Sequence, residues 1–436
     1  MTLLDGSMLD TAPADAQTAA DLSGFQLESQ VGLYSRSFPA VFNRAKGAGL
    51  YDADGHLYLD FLCGAGALNY GHNPDHIKRR LMQHLAEDRL VHGLDMHTTA
   101  KRAFLAGFRD TVLAPRGLDY KVQFCGPTGA NAVEAALKLA RKVTGRRGVV
   151  SFFGGFHGMS AGAAAVSGAQ AARAPATTPL QDVLFIPYED GPGGYFDSPA
   201  YLERLLADAA SGAGRPAAVI VEPLQIDGGV YPASARWLAD LRAVTRRHGV
   251  LLICDEIQTG CGRTGTFFCF EQAAIEPDLI TVSKSLGGYG LPLSALLLRP
   301  ELDVWAPGEH TGTFRANQLA LVAGTAAFEL WEQPGFIAGL RQVGGRLAEF
   351  GREMNARDDA IGVRGAGPLL GLDLTAAGGS GRARTVQRRC FDAGLIVELC
   401  GRGESVIKVM PPLTIDVADL DRGLRILAAA LTGITY

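Results

Sequence analysis

At 436 residues the chain is too long for one small core, and its length points to two or three folded units or one large domain with a smaller one attached. Hydrophobic residues make up 47% and charged residues 20%, the balance of a soluble globular protein rather than a disordered one. A net charge of −4 and a pI near 6.2 give no electrostatic case for nucleic acid. The seven cysteines (Cys63, Cys125, Cys254, Cys261, Cys269, Cys390, Cys400) are scattered without a Cys-x-x-Cys pair, which excludes a zinc ribbon or thioredoxin motif and fits a reducing cytoplasm.

Residues 1–24 are Ala, Asp, Thr and Ser with little periodicity and read as a loose arm. They hold acids, with no basic segment followed by an apolar one, so no signal peptide is expected. No run of about 18 apolar residues predicts a membrane span. Tyr51 to Phe61 reads as two short strands around an Asp-Gly turn, followed by a helix over Asp75–Ala86. From about residue 120 strands alternate with helices. Strands are expected over 121–124, 148–153, 217–221, 250–254 and 279–282, and helices over 131–143 and 235–248. Continuous apolar strands between amphipathic helices predict a mainly parallel sheet covered on both faces. Past residue 325 a helix over 328–354 leads to shorter strands at 369–374, 395–398 and 406–410, with Gly378–Gly381 expected as a surface loop. That change of rhythm suggests a smaller α/β domain.

In such sheets ligands bind beyond the carboxyl ends of the strands. Gly126-Pro-Thr-Gly129-Ala130 follows one strand and opens a helix, so free N–H groups, a hydroxyl and the positive helix end offer a phosphate seat; a plain turn explains the same residues. Asp255 ends the strand at 250–254 as a partly desolvated acid in need of a cationic partner, without a His or Cys set that would suggest metal. Glu222 and Asp227 follow the strand at 217–221. Phe156 and His157 lie on a glycine-rich loop, where the ring suits stacking on a flat ligand or simple core packing. Lys284 ends the strand at 279–282, just before Gly287-Gly288. Alone it reads as an ordinary surface lysine; with the phosphate seat, the ring and the acid it completes a pyridoxal phosphate site.

The chain from about residue 30 onward resembles the class III (ω-amino acid) aminotransferases. The stretches that carry the likeness are Asp255-Glu-Ile-Gln-Thr-Gly-Cys-Gly-Arg-Thr-Gly265, Ser283-Lys-Ser-Leu-Gly-Gly288, Phe156-His-Gly158, Val221-Glu-Pro-Leu-Gln225 and Pro411-Pro-Leu413. Within the family it is similar to diaminobutyrate–2-oxoglutarate transaminases through Tyr34-Ser-Arg-Ser-Phe-Pro39, Leu94-Asp-Met-His97, Val122–Gly129 and Gly308–Arg315. The resemblance implies a fold-type I architecture: a large domain over 75–325 with a mainly parallel seven-stranded sheet, and a small domain from 25–74 and 326–436. It implies pyridoxal 5'-phosphate held by Lys284, which moves the proton during transamination. Asp255 would pair with the pyridinium nitrogen, Gln258 with the phenolic oxygen, and Phe156 with the ring face, His157 being adjacent. Thr128, Gly129 and Ala130 would hold the phosphate, and Thr313 would complete that seat from the other subunit of a homodimer. Glu222 would sit near the ring.

For substrate, the resemblance places Lys408 where many relatives carry an arginine for the α-carboxylate, and Asp227 where ornithine-type relatives carry a glutamate that masks it. Both signs are kept, which suggests a smaller version of the same switch; Arg36 and Arg364 are rival carboxylate binders. The expected reaction moves the terminal amino group between the couple L-2,4-diaminobutyrate/L-aspartate 4-semialdehyde and the couple glutamate/2-oxoglutarate. Another ω-transaminase, acting on ornithine, 4-aminobutyrate, a polyamine or a specialised-metabolite amine, is the alternative. A hydrolase reading rests on Gly158-Met-Ser160-Ala-Gly162, which lacks the strand that should precede its serine. A non-catalytic cofactor-binding module is argued against by the intact Lys284, Asp255 and Gln258.

Overall fold

A computed structural model describes residues 23–169, 173 and 180–433, so most of the expected N-terminal arm lies outside the described residues. A seven-stranded sheet forms the larger layer, in the order Lys121–Phe124, Ala295–Leu298, Leu279–Val282, Leu251–Asp255, Ala218–Val221, Val149–Phe152, Val183–Ile186. Ala295–Leu298 runs antiparallel to both neighbours and the rest are parallel. Two antiparallel pairings in succession restore the direction, so Lys121–Phe124 ends at the same edge as the parallel strands. Val149–Phe152, Ala218–Val221 and Leu279–Val282 are buried throughout, as a sheet covered on both faces requires. The strands Val183–Ile186 and Ala295–Leu298 were not foreseen.

A second core gathers Leu59 and Phe61 with Leu347, Phe350, Leu372, Ile407, Val409 and Leu424. Around it lie two four-stranded sheets. One joins Phe42–Lys46, Gly49–Asp52 and Leu57–Asp60 to Leu395–Ile396; the other orders Gly362–Gly365, Leu370–Asp373, Val406–Val409, Glu398–Cys400. The N-terminal hairpin closes as expected. Asp52 accepts hydrogen bonds from the Asp54 and His56 amides, which folds the Asp-Gly turn back on its strand.

Three sequence expectations are corrected. The helix over 328–354 is two helices, Gln318–Trp331 and Pro334–Arg357, because Pro334 cannot continue a helix but opens one well. Gly379 to Gly381 are not a loop but the first turn of a helix over Gly379–Asp392, entered through left-handed Gly378 (φ 105°). The strand at 395–398 is split: Leu395–Ile396 pairs with Leu59 and Asp60, while Glu398–Cys400 crosses to the other sheet and sets Glu398 opposite Lys408. Among the described residues no helix is long and apolar enough to cross a membrane.

Arg263 ties the two cores together. It is fully buried and has no ion pair among the described residues. Its guanidinium donates to the carbonyls of Pro368 (3.0 Å) and Pro411 (2.8 Å) and to Asn69 Oδ1 (2.6 Å). Truncation would orphan three buried acceptors and leave a void. Arg263→Ala is expected to destabilise the protein by about 3 kcal/mol, read as lower midpoints in thermal and urea unfolding; unchanged midpoints would show that the staple carries no weight.

Candidate active site

Strand register assembles the site. Cys254 lies beside Val221 and Asp255 beside Thr281, so Glu222, Asp255 and Lys284 leave adjacent strands at the same edge. They meet in a cavity of about 150 Å³ whose wall also includes Gly129, Ala130, Phe156, His157, Gly158, Asp227, Ile257, Gln258 and Thr259. Most of the expected cofactor set is therefore brought together. Thr128 sits just outside, as the N-cap of the helix Gly129–Thr144, and Thr313 is exposed and absent from this chain's own cavity wall.

Lys284 is held in a conformation few side chains tolerate. Its φ is +48°, in the left-handed region, at the start of a 3₁₀ turn Lys284–Gly287. Strain of this kind persists where surrounding structure enforces it, often at functional positions. The enforcing contacts are Ser285 Oγ donating to Gly66 O (2.7 Å) and accepting from Asn69 N–H (3.0 Å), and Ser283 Oγ donating to Leu293 O (2.8 Å). The Lys284 amine makes no hydrogen bond or ion pair among the described residues. Burial lowers its pKa, partly opposed by Asp227, which favours the neutral, nucleophilic form.

Asp255 is buried and fixed at both oxygens. Thr281 Oγ1 (2.9 Å) and the Ile257 amide (3.1 Å) donate to Oδ1, and His157 Nδ1 lies 2.7 Å from Oδ2. Glu222 Oε1 accepts from the Phe156 amide (2.8 Å), which anchors the ring-bearing loop. Burial, reinforced by Asp255, raises the Glu222 carboxyl well above the usual carboxylate range. Gln258 Nε2 donates to Ala65 O (3.2 Å). At the far end Asn131 Oδ1 accepts from the Thr128 amide (3.2 Å) and hydroxyl (2.9 Å), while the Gly129 and Ala130 amides have no acceptor among the described residues. Open helix-end amides beside an aromatic ring, an oriented buried acid and an unengaged lysine fit pyridoxal phosphate.

Asp227 and Lys408 also meet, with Nζ 2.7 Å from Asp227 Oδ1. Burial opposes the Lys408 charge, but Asp227 and Glu398 outweigh it and hold the pKa above its ordinary value; burial likewise opposes the Asp227 charge, and Lys408 and Lys284 hold that carboxyl below its own. Neither rival arginine reaches the cavity. Arg36 is exposed and donates to Gln30 Oε1 (2.8 Å). Arg364 bonds Gly229 O and Asp373 (2.9 Å) and stacks on Tyr231. Three site residues escaped the sequence reading: Thr281, Tyr34 and Glu398. Glu398 was visible only as the end of an apolar strand. Ser160 of the hydrolase pattern caps the helix Ala161–Val166 and donates to Glu134 (2.6 Å), and His157 is committed to Asp255, so no nucleophile elbow exists.

Fold and site together define a pyridoxal phosphate enzyme of the α/β type. The class-III aminotransferase profile matches residues 33–431, and the chain belongs to that family. It is 51% identical over 405 residues to an uncharacterized aminotransferase of Sinorhizobium fredii, covering 92% of this chain and 90% of the relative. It is 50% identical over 410 residues to a diaminobutyrate–2-oxoglutarate transaminase of Nocardia farcinica, covering 93% and 92%. Among solved structures, the ornithine aminotransferase of Toxoplasma gondii superposes with a TM-score of 0.81 at 26% identity, covering 94% of each chain. Enzymes of this family use pyridoxal phosphate, and bound here it supplies the electron sink for the carbon that exchanges a proton.

Glu256, next to Asp255, yields a pH prediction. Burial pushes its carboxyl up to about 7 from 4.5, against hydrogen bonds from Thr259 and the Cys269 and Phe270 amides. The folded state then binds the proton more tightly than the unfolded chain, so this stabilisation is complete below about pH 4.5 and is lost as pH rises through about 7. Glu256→Gln is expected to gain stability over wild type between about pH 5 and pH 8 in a urea series. A difference that shrinks across that range would refute the assignment.

Proposed function

We propose that the protein transfers the terminal amino group between L-2,4-diaminobutyrate and 2-oxoglutarate, interconverting the diamine with L-aspartate 4-semialdehyde and 2-oxoglutarate with glutamate. Support comes from relatives named diaminobutyrate–2-oxoglutarate transaminase, 46–50% identical over at least 93% of this chain. The observation that carries the reading is the Asp227–Lys408 pair, in which a carboxylate of the Lys284 cavity wall masks a buried cation.

In this reading Lys284 holds the cofactor and its amine takes and returns the substrate's proton. Asp255, oriented by His157 and Thr281, keeps the ring nitrogen protonated. Gln258 bonds the phenolic oxygen, Phe156 stacks on the ring and Glu222 lies beside it. The Gly129 and Ala130 amides with Thr128 hold the phosphate, and exposed Thr313 serves the site of a second subunit in a homodimer. Free, buried cysteines suit a cytoplasmic protein. Residues 25–74 and the chain beyond the Trp331–Pro334 break form the small domain, since Gln318–Trp331 packs on the helices Asp75–Ala86 and Thr99–Gly107.

The test is an amine-donor panel with 2-oxoglutarate, read with the visible absorption of the holoenzyme. L-2,4-diaminobutyrate is expected to bleach the band fastest and give the highest kcat/KM; faster turnover with ornithine, 4-aminobutyrate or a polyamine would replace it as substrate. Lys408→Ala is expected to raise KM for 2-oxoglutarate by about 10-fold or more, as loss of a charged hydrogen bond does, and to affect the diamine much less. Equal effects on both would sink the switch.

A further inference from the structure

The charges around Lys408 do not balance. Two carboxylates face one ammonium, with Nζ 2.7 Å from Asp227 Oδ1 and 2.9 Å from Glu398 Oε2, so the buried group carries an excess negative charge. The two contacts differ in kind. Lys408 donates a hydrogen bond to Asp227. Glu398 Oε2 is shielded from solvent yet accepts no hydrogen bond, because the Lys408 ammonium approaches it at ion-pair distance but at a poor angle. The other oxygen, Oε1, is taken by the Tyr34 hydroxyl at 2.7 Å. A buried carboxylate oxygen with open lone pairs is costly unless a donor arrives. Asp227, which shares the Lys408 ammonium with Glu398, is part of the wall of the Lys284 cavity, so the cluster adjoins that cavity.

We propose that Glu398 Oε2 receives the second, non-reacting ammonium of a diamine substrate and is the residue that makes the site prefer a diamine to a monoamine of the same carbon chain. The inference rests on the diamine transaminase reading above. An incoming ammonium supplies both things the cluster lacks, a hydrogen-bond donor and a compensating positive charge. A monoamine leaves Oε2 open. Tyr34, whose hydroxyl donates to Oε1, is a positioning residue that holds the carboxylate. Register enforces the arrangement, since Glu398 and Lys408 are directly paired in their antiparallel ladder.

L-2,4-diaminobutyrate and 4-aminobutyrate differ only by the 2-amino group, so their ratio isolates this contact. The holoenzyme, wild type and Glu398→Gln, is mixed with each donor and kcat/KM is measured from bleaching of the visible band. Glu398→Gln is expected to cut the preference for the diamine by about 10- to 100-fold, the effect of one charge-assisted hydrogen bond. Glu398→Asp, which keeps the charge at shorter reach, should retain part of the preference and decides the matter should the Gln variant not fold. An unchanged ratio, or equal losses for both donors, overturns the role of Glu398 and leaves transamination intact. Wild type that bleaches with neither donor overturns the underlying reading, and this one with it.

Discussion

Parallel pairing of Leu251–Asp255 with Ala218–Val221 on one side and Leu279–Val282 on the other is the constraint on which the site depends. It fixes where each strand stops, and each stop delivers a functional group: Glu222, Asp255 and, after Ser283, Lys284. A slip of one residue in any strand would turn its terminal acid or amine into the opposite layer of the sheet. The hydrogen bond from Thr281 to Asp255 Oδ1 ties two of these strands in register, and a slip would break it.

Burial then shapes the chemistry. In a desolvated cavity burial disfavours the charged forms of Lys284 and Glu222, and Asp255 is oriented by three neighbours. The positive φ of Lys284 shows the backbone being forced into place. Its price is met by the serines on either side, whose hydroxyls are tied to Gly66, Asn69 and Leu293. Arg263 holds Asn69 from the other side, so a residue outside the cavity wall supports the turn that presents the lysine.

In the proposed reading, substrate choice sits on a different structural layer. The charged cluster of Asp227, Lys408 and Glu398 joins a loop of the large sheet to an antiparallel ladder of the second core. A buried ion pair with an extra carboxylate contributes little to stability by itself. In the proposed reading it serves selection more than folding.

Much of this was legible in the chain. Short apolar strands ending in Asp255, Glu222 and Lys284, with Gly129 opening a helix, are local patterns, and local patterns report which residue follows a buried strand. Sequence also paired Asp227 with Lys408, through matched substitutions of preserved sign. It failed where long-range geometry decides. The helix break at Pro334 and the helical start at Gly379 are local features misread from composition. Glu398 is another matter: whether an acid ending Leu395-Ile-Val faces solvent or a buried ammonium depends on the crossing between sheets at Val397. Arg36 and Arg364 show the reverse case, cations of the right chemistry that tertiary packing directs elsewhere. The chain by itself determined which groups the site contains. Only the fold decided which face one another, because cross-strand register and burial are properties of residues far apart in sequence.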